Sequence, residues 1–489
     1  MRPPPCLLVN RLLPFFIYAI PAPTGRSGQP EQVPVVPPAQ GESPPQWTGV
    51  TVCFPEKLSN IAKDGKSPGN FAMSVTLSLP ETQELNSPAL QRRVNQLRTI
   101  DNVTNWFYLV REYLVCGSVV GLTIAFYLYR EEWGLAWVWN VPVTLLAIVV
   151  IGACQHRLTN LAHEASHYML FRNRFLNEFI SDWFCLFPMW SSTHQYRLQH
   201  LAHHQYVNDP ERDPDVTQMM ASGHRFTFPM SPRRFVWECV LKQLLWFPKL
   251  IRYIRVRARY NVTGGGTGPY EAKGPRSKLL ILVGVLYLAV LAGALTALVM
   301  LDQPVLLAVV PAGMLTAVLI FYARVPAHLY RQALVRPDVS PRGMTYGRVT
   351  HWTLTFTALA WLTYLTDMPW GLYYLLLWMV PLGTSFAFCM ILRQVVQHGN
   401  ATQERLTNTR IFLVSRLIRF AVFPLGMDWH LPHHLFPMVP HYRLKQLHAL
   451  LMEAEEYREH ATVVEGYFFH RRPPQHPTVA ELMATPVQR

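Results

Sequence analysis

The sequence predicts an all-α integral membrane protein: about six transmembrane helices in three hairpins, with a cytoplasmic helical cap. Three observations lead there. Half of the 489 residues are hydrophobic and only 15% are charged. The apolar residues gather in long runs with few or no charges, as a bilayer core about 30 Å thick requires. Three short histidine clusters each stand beside such a run: His163-Glu-Ala-Ser-His167, His200-Leu-Ala-His203-His204 and His430-Leu-Pro-His433-His434.

In chain order, residues 1–72 come first. Pro-rich stretches such as Pro34-Val-Val-Pro-Pro and Ser43-Pro-Pro-Gln cannot build a packed core, so a disordered extension is expected. The apolar patch Leu12–Ile20 follows Arg2 and Arg11, loosely like a signal peptide. It contains Pro14, no persuasive cleavage site follows, and Met73 is an alternative natural start. Residues 73–104 read as an amphipathic lead-in, 105–460 as the membrane domain and 461–489 as a C-terminal tail.

The first span runs from about Tyr113 to Tyr129, and Arg130-Glu-Glu-Trp-Gly134 turns into a second, Leu135–Cys154. Asn177–Trp190 is apolar but too short to cross comfortably and contains Asp182, so it reads as a re-entrant or interfacial helix. Residues 205–278 are polar and basic. Within them Phe235–Ile254 spaces its apolar residues helically, as on a helix at the membrane surface or one packed in the core. Gly264-Gly-Gly marks a loop. Two hairpins follow, Leu279–Leu301 with Val305–Tyr322 across Asp302-Gln-Pro, and Trp352–Thr366 with Trp370–Leu392 across Asp367-Met-Pro. Trp352, Trp361, Trp370 and Trp378 suit interfacial belts or plain packing.

A net charge of +14 raises nucleic acid as a partner. Its distribution argues against one. Lys and Arg concentrate in 91–112, 155–278, 324–350 and 393 onward, while the three short turns are acidic, which is the positive-inside pattern. All three clusters then lie on the cytoplasmic face. Four spans separate the second cluster from the third, and an even number lets them share a site. The seven cysteines form no CxxC pair; Cys116, Cys154 and Cys389 lie in apolar runs and read as buried thiols.

Helical positions i, i+3 and i+4 share a face, so each cluster aims two or three imidazoles one way. Neutral imidazole ligates iron, zinc, copper and nickel. His163 and His167 face together with His156 near their stripe, whereas Glu164 points about 100° away and is a poorer ligand candidate. The second cluster follows His194 and leads into Asn208-Asp-Pro-Glu-Arg-Asp-Pro-Asp215. Asp209, Asp213, Asp215 and, further on, Gln394 are candidates to support the ligands; the bland reading of the carboxylates is a solvated turn. Pro432 disfavours a helical Leu431, so His430 is expected in a turn before a short helix that Pro437 ends. His398 stands alone in Gln-Val-Val-Gln-His-Gly. His224, His328, His351, His448, His460, His470 and His476 read as structural.

HxxxH, HxxHH and HxxHH in this order, separated by apolar hairpins over about residues 105–460, resemble the membrane fatty acid desaturase and hydroxylase superfamily. The resemblance implies two iron ions held at the cytoplasmic membrane surface by His163, His167, His200, His203, His204, His430, His433 and His434. His398 matches an additional histidine placed after the last span, although Gln397 stands where members often have Glu. Unlike members that desaturate near the carboxyl end, the third cluster begins with His rather than Gln. No His-Pro-Gly-Gly motif of cytochrome b5 type occurs at either end, so an external electron donor, a ferredoxin or cytochrome b5, is expected.

The implied reaction is O2-dependent desaturation of a long acyl chain, in a lipid or thioester, at a bacterial inner membrane or the endoplasmic reticulum. A hydroxylase or ketolase acting on a carotenoid, sterol or alkane fits the same motifs. A metal transporter or haem-bearing electron carrier would place its ligands inside the spans.

Overall fold

The computed structural model describes residues 84–263, 269–270, 277–330, 333–470 and 473–486. The expectations for the first 72 residues, the alternative start and the Gly264 loop lie outside those residues.

Helix α1 (Pro88–Leu97) is capped by the Ser87 side chain, which accepts the Leu90 N–H at 3.3 Å. It buries Leu90 and Val94 against the C-terminal part of the fold. Asp101 then accepts the N–H groups of Val103 and Thr104, both at 3.0 Å, and starts α2 (Thr104–Tyr129). Helix α3 (Asn140–Ser166) returns and runs unbroken through the first histidine cluster to its last turn.

Among the described residues five helices are long and apolar enough to cross a membrane: Thr104–Tyr129, Trp137–Ser166, Lys278–Met300, Pro304–Arg324 and Trp370–Gln397. Their outward faces leave Leu122, Met300 and Val305 more than 70% exposed, which suits lipid and not water. The sixth span expected from the sequence lies in a 26-residue helix, Pro341–Thr366. Arg342, Arg348 and His351 in its first half and Thr355, Thr357, Thr363 and Thr366 in its second leave it less apolar than the other five.

We number Lys278–Met300 α8, Pro304–Arg324 α9, Pro341–Thr366 α10 and Trp370–Gln397 α11. The two tight turns have a common design. Asp302 and Asp367 adopt left-handed φ values of 54° and 55°, which a short polar side chain tolerates, and Pro304 and Pro369 set up the next helix. Tyr287 bonds Thr353 at 2.7 Å and Tyr322 donates to the Leu280 carbonyl at 3.0 Å, so α8, α9 and α10 form one packed group. Helix α11 packs on α3 instead. Gln155 donates to the Trp378 carbonyl at 2.8 Å and Ser385 to the Ile148 carbonyl at 2.6 Å. Gly152 permits this approach, because a Cβ there would stand 2.0 Å from Ser385 Oγ and 2.6 Å from Phe386 N.

Over the spans lies the cap. The apolar stretch at Asn177–Trp190 forms a short helix, α4 (Arg174–Ser181), continued by a wide turn over Asp182–Leu186 and a tight one over Phe187–Met189. Its Asp182 is buried because it accepts the N–H and hydroxyl of Thr193, at 2.7 and 2.8 Å, at the start of α5 (Thr193–Gln205). Next come α6 (Pro214–Ser222) and, after a break at Trp246, α7 (Phe247–Thr263). The region 235–254 is two-faced. Phe235, Cys239, Leu250 and Tyr253 enter the core, whereas Trp237, Leu245 and Trp246 stay exposed. Among the described residues the only paired strands are β1 (Ile411–Leu413) and β2 (Val463–Glu465), parallel with Ile411 opposite Val463. Val479, Ala480 and Met483 pack in the same core as Phe412 and Phe423, so the end of the chain is part of this unit.

Candidate metal centre

The C-terminus of α3 leaves orphan carbonyls where His163 and His167 must be held still. Arg197, fully buried on α5, caps them: Nε donates to the Ser166 carbonyl at 2.9 Å and Nη2 to that of Ala165 at 2.7 Å. Glu178 pairs with the same guanidinium, and Asn177 adds a second side-chain donor to the Ala165 carbonyl at 2.9 Å. Three residues beyond Arg197 comes His200. One buried arginine therefore ties the end of the first cluster's helix to the helix of the second.

His203 Nδ1 lies 2.9 Å from Asp213 Oδ1. Asp213 also accepts the N–H groups of Asn208 and Asp215, both at 2.9 Å, so its carboxylate is fixed. A carboxylate only accepts, so the ring proton sits on Nδ1 and Nε2 is free to face a metal. His398 repeats the arrangement with the Asn408 carbonyl, 3.0 Å from its Nδ1. The third cluster forms a short helix, His430–Leu435, which starts two residues earlier than Pro432 suggests. The reason is positional: the first N–H groups of a helix have no intrahelical partner, so a proline there forfeits nothing. His430 is thereby part of the helix.

The nine rings gather into two groups, each with its ligand atoms within 4.8 Å of one another: His163, His167, His200, His204 and His433; and His203, His398, His430 and His434. In the first, His200 Nε2 stands 2.9 Å from His167 Nε2 and 3.0 Å from His204 Nε2, and His204 is 3.1 Å from His433. In the second, His398 Nε2 is 3.1 Å from that of His203 and 3.0 Å from that of His430, and His434 is 3.1 Å from His430. Two nitrogens bound at right angles about 2.1 Å from one ion stand about 3.0 Å apart. A neutral imidazole has one proton to donate, so chains of such contacts are not all hydrogen bonds, and the two groups could each hold a metal ion. His163 Nε2 is buried within its group without a hydrogen-bond partner, as expected of a ligand atom.

Electrostatics prepare the same state. Burial, then the neighbouring charges, hold His167 down to about 3, and burial with mutual repulsion keeps His200, His204, His430, His433 and His434 well below the usual imidazole value. These rings are neutral and ready to ligate. His203 differs: burial pulls it down, but the Asp213 and Asp215 carboxylates outweigh burial and raise it to about 9. Without a cation that ring therefore holds a second proton, on Nε2, which a metal would have to displace; the Asp213 charge would then strengthen Nε2 as a ligand.

The supporting candidates fare unequally. Asp213 grips His203. Asp209 does not reach a ring; it closes a surface turn with Arg212 at 2.6 Å, because its position in the Pro-bracketed loop points it to solvent-side partners. Asp215 and Gln394 line a cavity of about 30 Å³ with His203 and His398, room for one or two waters. Gln394 is held there by the Tyr253 hydroxyl at 2.6 Å. Glu164 is not among the grouped residues: Oε1 meets His163 Nδ1 at 3.3 Å and Oε2 accepts the His441 N–H at 2.8 Å. His156 bonds the Ala421 carbonyl at 2.7 Å and stands outside both groups, as does His194. Sequence reasoning missed Arg197, Glu178 and the Glu164–His441 link. Charged residues inside apolar stretches were the available signal.

Fold and site together define an integral membrane protein whose cap carries paired histidine groups able to hold metal. A family model described as Fatty acid desaturase matches residues 137–349 and 312–466. The chain belongs to that family. It is similar to dihydrorhizobitoxine desaturase of Bradyrhizobium elkanii, 31% identical over 159 residues, 32% of this chain and 41% of that protein. It is also similar to the Delta 8-(E)-sphingolipid desaturase of Kluyveromyces lactis, 26% identical over 152 residues, 31% of this chain and 23% of that protein. The matched segments thus span less than half of either relative.

Proposed function

We propose that this protein is an O2-dependent di-iron desaturase that places a double bond in a long acyl chain. The observation that carries the reading is the pair of all-histidine groups, five and four rings, gathered at the end of an apolar bundle. Relatives named desaturases support it. His163, His167, His200, His204 and His433 would hold one ion, and His203, His398, His430 and His434 the other. Bound iron would supply the oxygen-activating redox chemistry that hydrogen removal from an unactivated methylene demands and no side-chain acid or base provides.

The protein's own part is positional. Asp213 and the Asn408 carbonyl fix ring tautomers, and Arg197 fixes the helix ends that carry the rings. A separate cavity of about 390 Å³, lined by Trp190, Leu198, Leu280, Ile281, Val349 and Trp352, would align an apolar chain and exclude water. Leu198 is on the helix that carries the second cluster, so this cavity shares a wall with the centre. The balance is one CH2–CH2 unit, O2, two electrons and two protons giving one CH=CH unit and two waters. The electrons require an external one-electron donor, a ferredoxin or cytochrome b5.

Six crossings with the centre on the cytoplasmic face fit this reading. The meeting of the second and third clusters supports an even number of crossings between them, in which Pro341–Thr366 would be a span beside the neighbouring three. Expression in a host with a simple lipid profile tests the proposal. A new unsaturated acyl species should form only when oxygen is supplied. Hydroxylated lipid as sole product, or full activity without oxygen, overturns it.

A further inference from the structure

Where α2 begins and α3 ends, a second cavity of about 390 Å³ opens beside the third cluster. Five cations line it: Arg111, Arg157, Arg416, Arg419 and Lys445. Two buried carboxylates answer them. Glu112 bridges Arg111 and Arg157 at 2.5 and 2.8 Å, and Asp428 meets Arg419 at 2.8 Å. Five positive against two negative charges leave +3 in one concavity. Arg416 and Lys445 are exposed, and neither has an ion-pair partner among the described residues. Uncompensated like charge in a concave surface repels itself and raises the local concentration of an anionic partner.

The inner wall leads to both metal groups. Trp429 lines the cavity and is bonded covalently to His430, a member of the second group. His441 also lines it; its N–H reaches Glu164 at 2.8 Å, and the other Glu164 oxygen meets His163, a member of the first group, at 3.3 Å. One covalent link on one side and two hydrogen-bond-length contacts on the other give electrons a short path from this cavity to both groups.

We propose that this basic cavity is the docking site of the external electron donor, a one-electron iron–sulfur or haem protein that presents an acidic protrusion to it. The proposal rests on the oxygen-dependent reading above. Each turnover takes two electrons, so two reduced donors dock in succession. Each is oxidised by one electron, and the electrons enter through Trp429 or through His441 and Glu164.

The test uses the full chain in neutral phosphatidylcholine nanodiscs, with plant-type [2Fe–2S] ferredoxin and soluble cytochrome b5 as probes. Changing Arg416→Glu together with Lys445→Glu should raise the Kd of the bound probe at least tenfold and flatten its salt dependence. The milder pair Arg416→Gln and Lys445→Gln should give a smaller shift in the same direction. The ratio of donor-driven to dithionite-driven product should fall in parallel. Arg234→Glu with Arg255→Glu makes the same charge change on exposed surface elsewhere and should leave the Kd within twofold. Equal weakening by both double variants overturns the proposal, as does no binding of either probe by the unaltered protein. Weakened binding of phosphatidylglycerol vesicles with an unchanged donor Kd also overturns it, and gives the cavity to a lipid head group. Absence of unsaturated product from the unaltered protein under dithionite and oxygen would defeat the desaturase reading instead, and the binding measurement would still stand.

Discussion

An imidazole facing a cation works only if its other nitrogen is committed, and His203 shows how firmly this chain commits one. Asp213 holds the ring proton while two backbone N–H groups hold Asp213. Asp213→Asn keeps the shape and removes the charge, so metal affinity should fall about 10–100-fold while the protein still inserts. Iron per protein under chelator competition measures this; an unchanged affinity would count against the ligand role of His203. At this scale the sequence was informative about ring identity, because regular spacing on a helix implies a shared face. It was poor for partners. Asp209 and Asp213 sit four apart in one acidic loop, yet only the second reaches a ring, and that choice depends on where Asn208 bends the chain with a left-handed φ of 62°.

At the scale of elements, the approach of α3 to α11 sets the spacing between the helix that carries the first cluster and the helix that leads into His398. Ser385 Oγ would stand 2.0 Å from a Cβ on residue 152, with backbone just behind it. Gly152→Ala must therefore push the helices apart, at a cost of about 1–3 kcal/mol. Thermal unfolding in detergent should show the loss of stability, and metal content should drop with it; an alanine variant that melts and loads like the parent would show that this contact does not set the helix spacing. The glycine was invisible as a contact point in the sequence, because a small residue in an apolar run has many reasons to be there. Helix ends were legible only where turn chemistry marks them, as at Asp302 and Asp367. The stretch Asn177–Trp190, expected as a re-entrant or interfacial helix, is helical through Met189, but the role of Asp182 as a cap for α5 required the fold.

For the whole molecule, the all-α membrane class followed from uneven apolar composition and was visible before any site was considered. Span number was harder. Among the described residues five helices qualify on length and composition, and Pro341–Thr366 falls short because His351 and Thr350, Thr353, Thr355, Thr357, Thr363 and Thr366 interrupt its apolar residues. Only the meeting of the clusters supplies the parity that counts it as a crossing. Single cysteines at Gly134, Gln303 and Met368 should therefore react with an impermeant reagent from the side opposite Gln403. Reaction of Gln403→Cys together with those three from one side would dismiss six crossings.

The partition of the rings has a mechanical consequence. An ion joining His204 to His433 ties together residues 229 apart in the chain, and one joining His203 to His398 spans 195. By loop-closure entropy a cross-link over such a length disfavours the opened chain by about 5 kcal/mol, an upper bound where the bilayer already restrains the ends. Iron would then serve as a clasp as well as a reagent. A cell short of iron would hold an unfastened protein, with its cap open to proteases, and not merely an idle enzyme. Limited proteolysis before and after chelation reads that difference directly: a cap cleaved at the same rate in both states would mean that the ions fasten nothing.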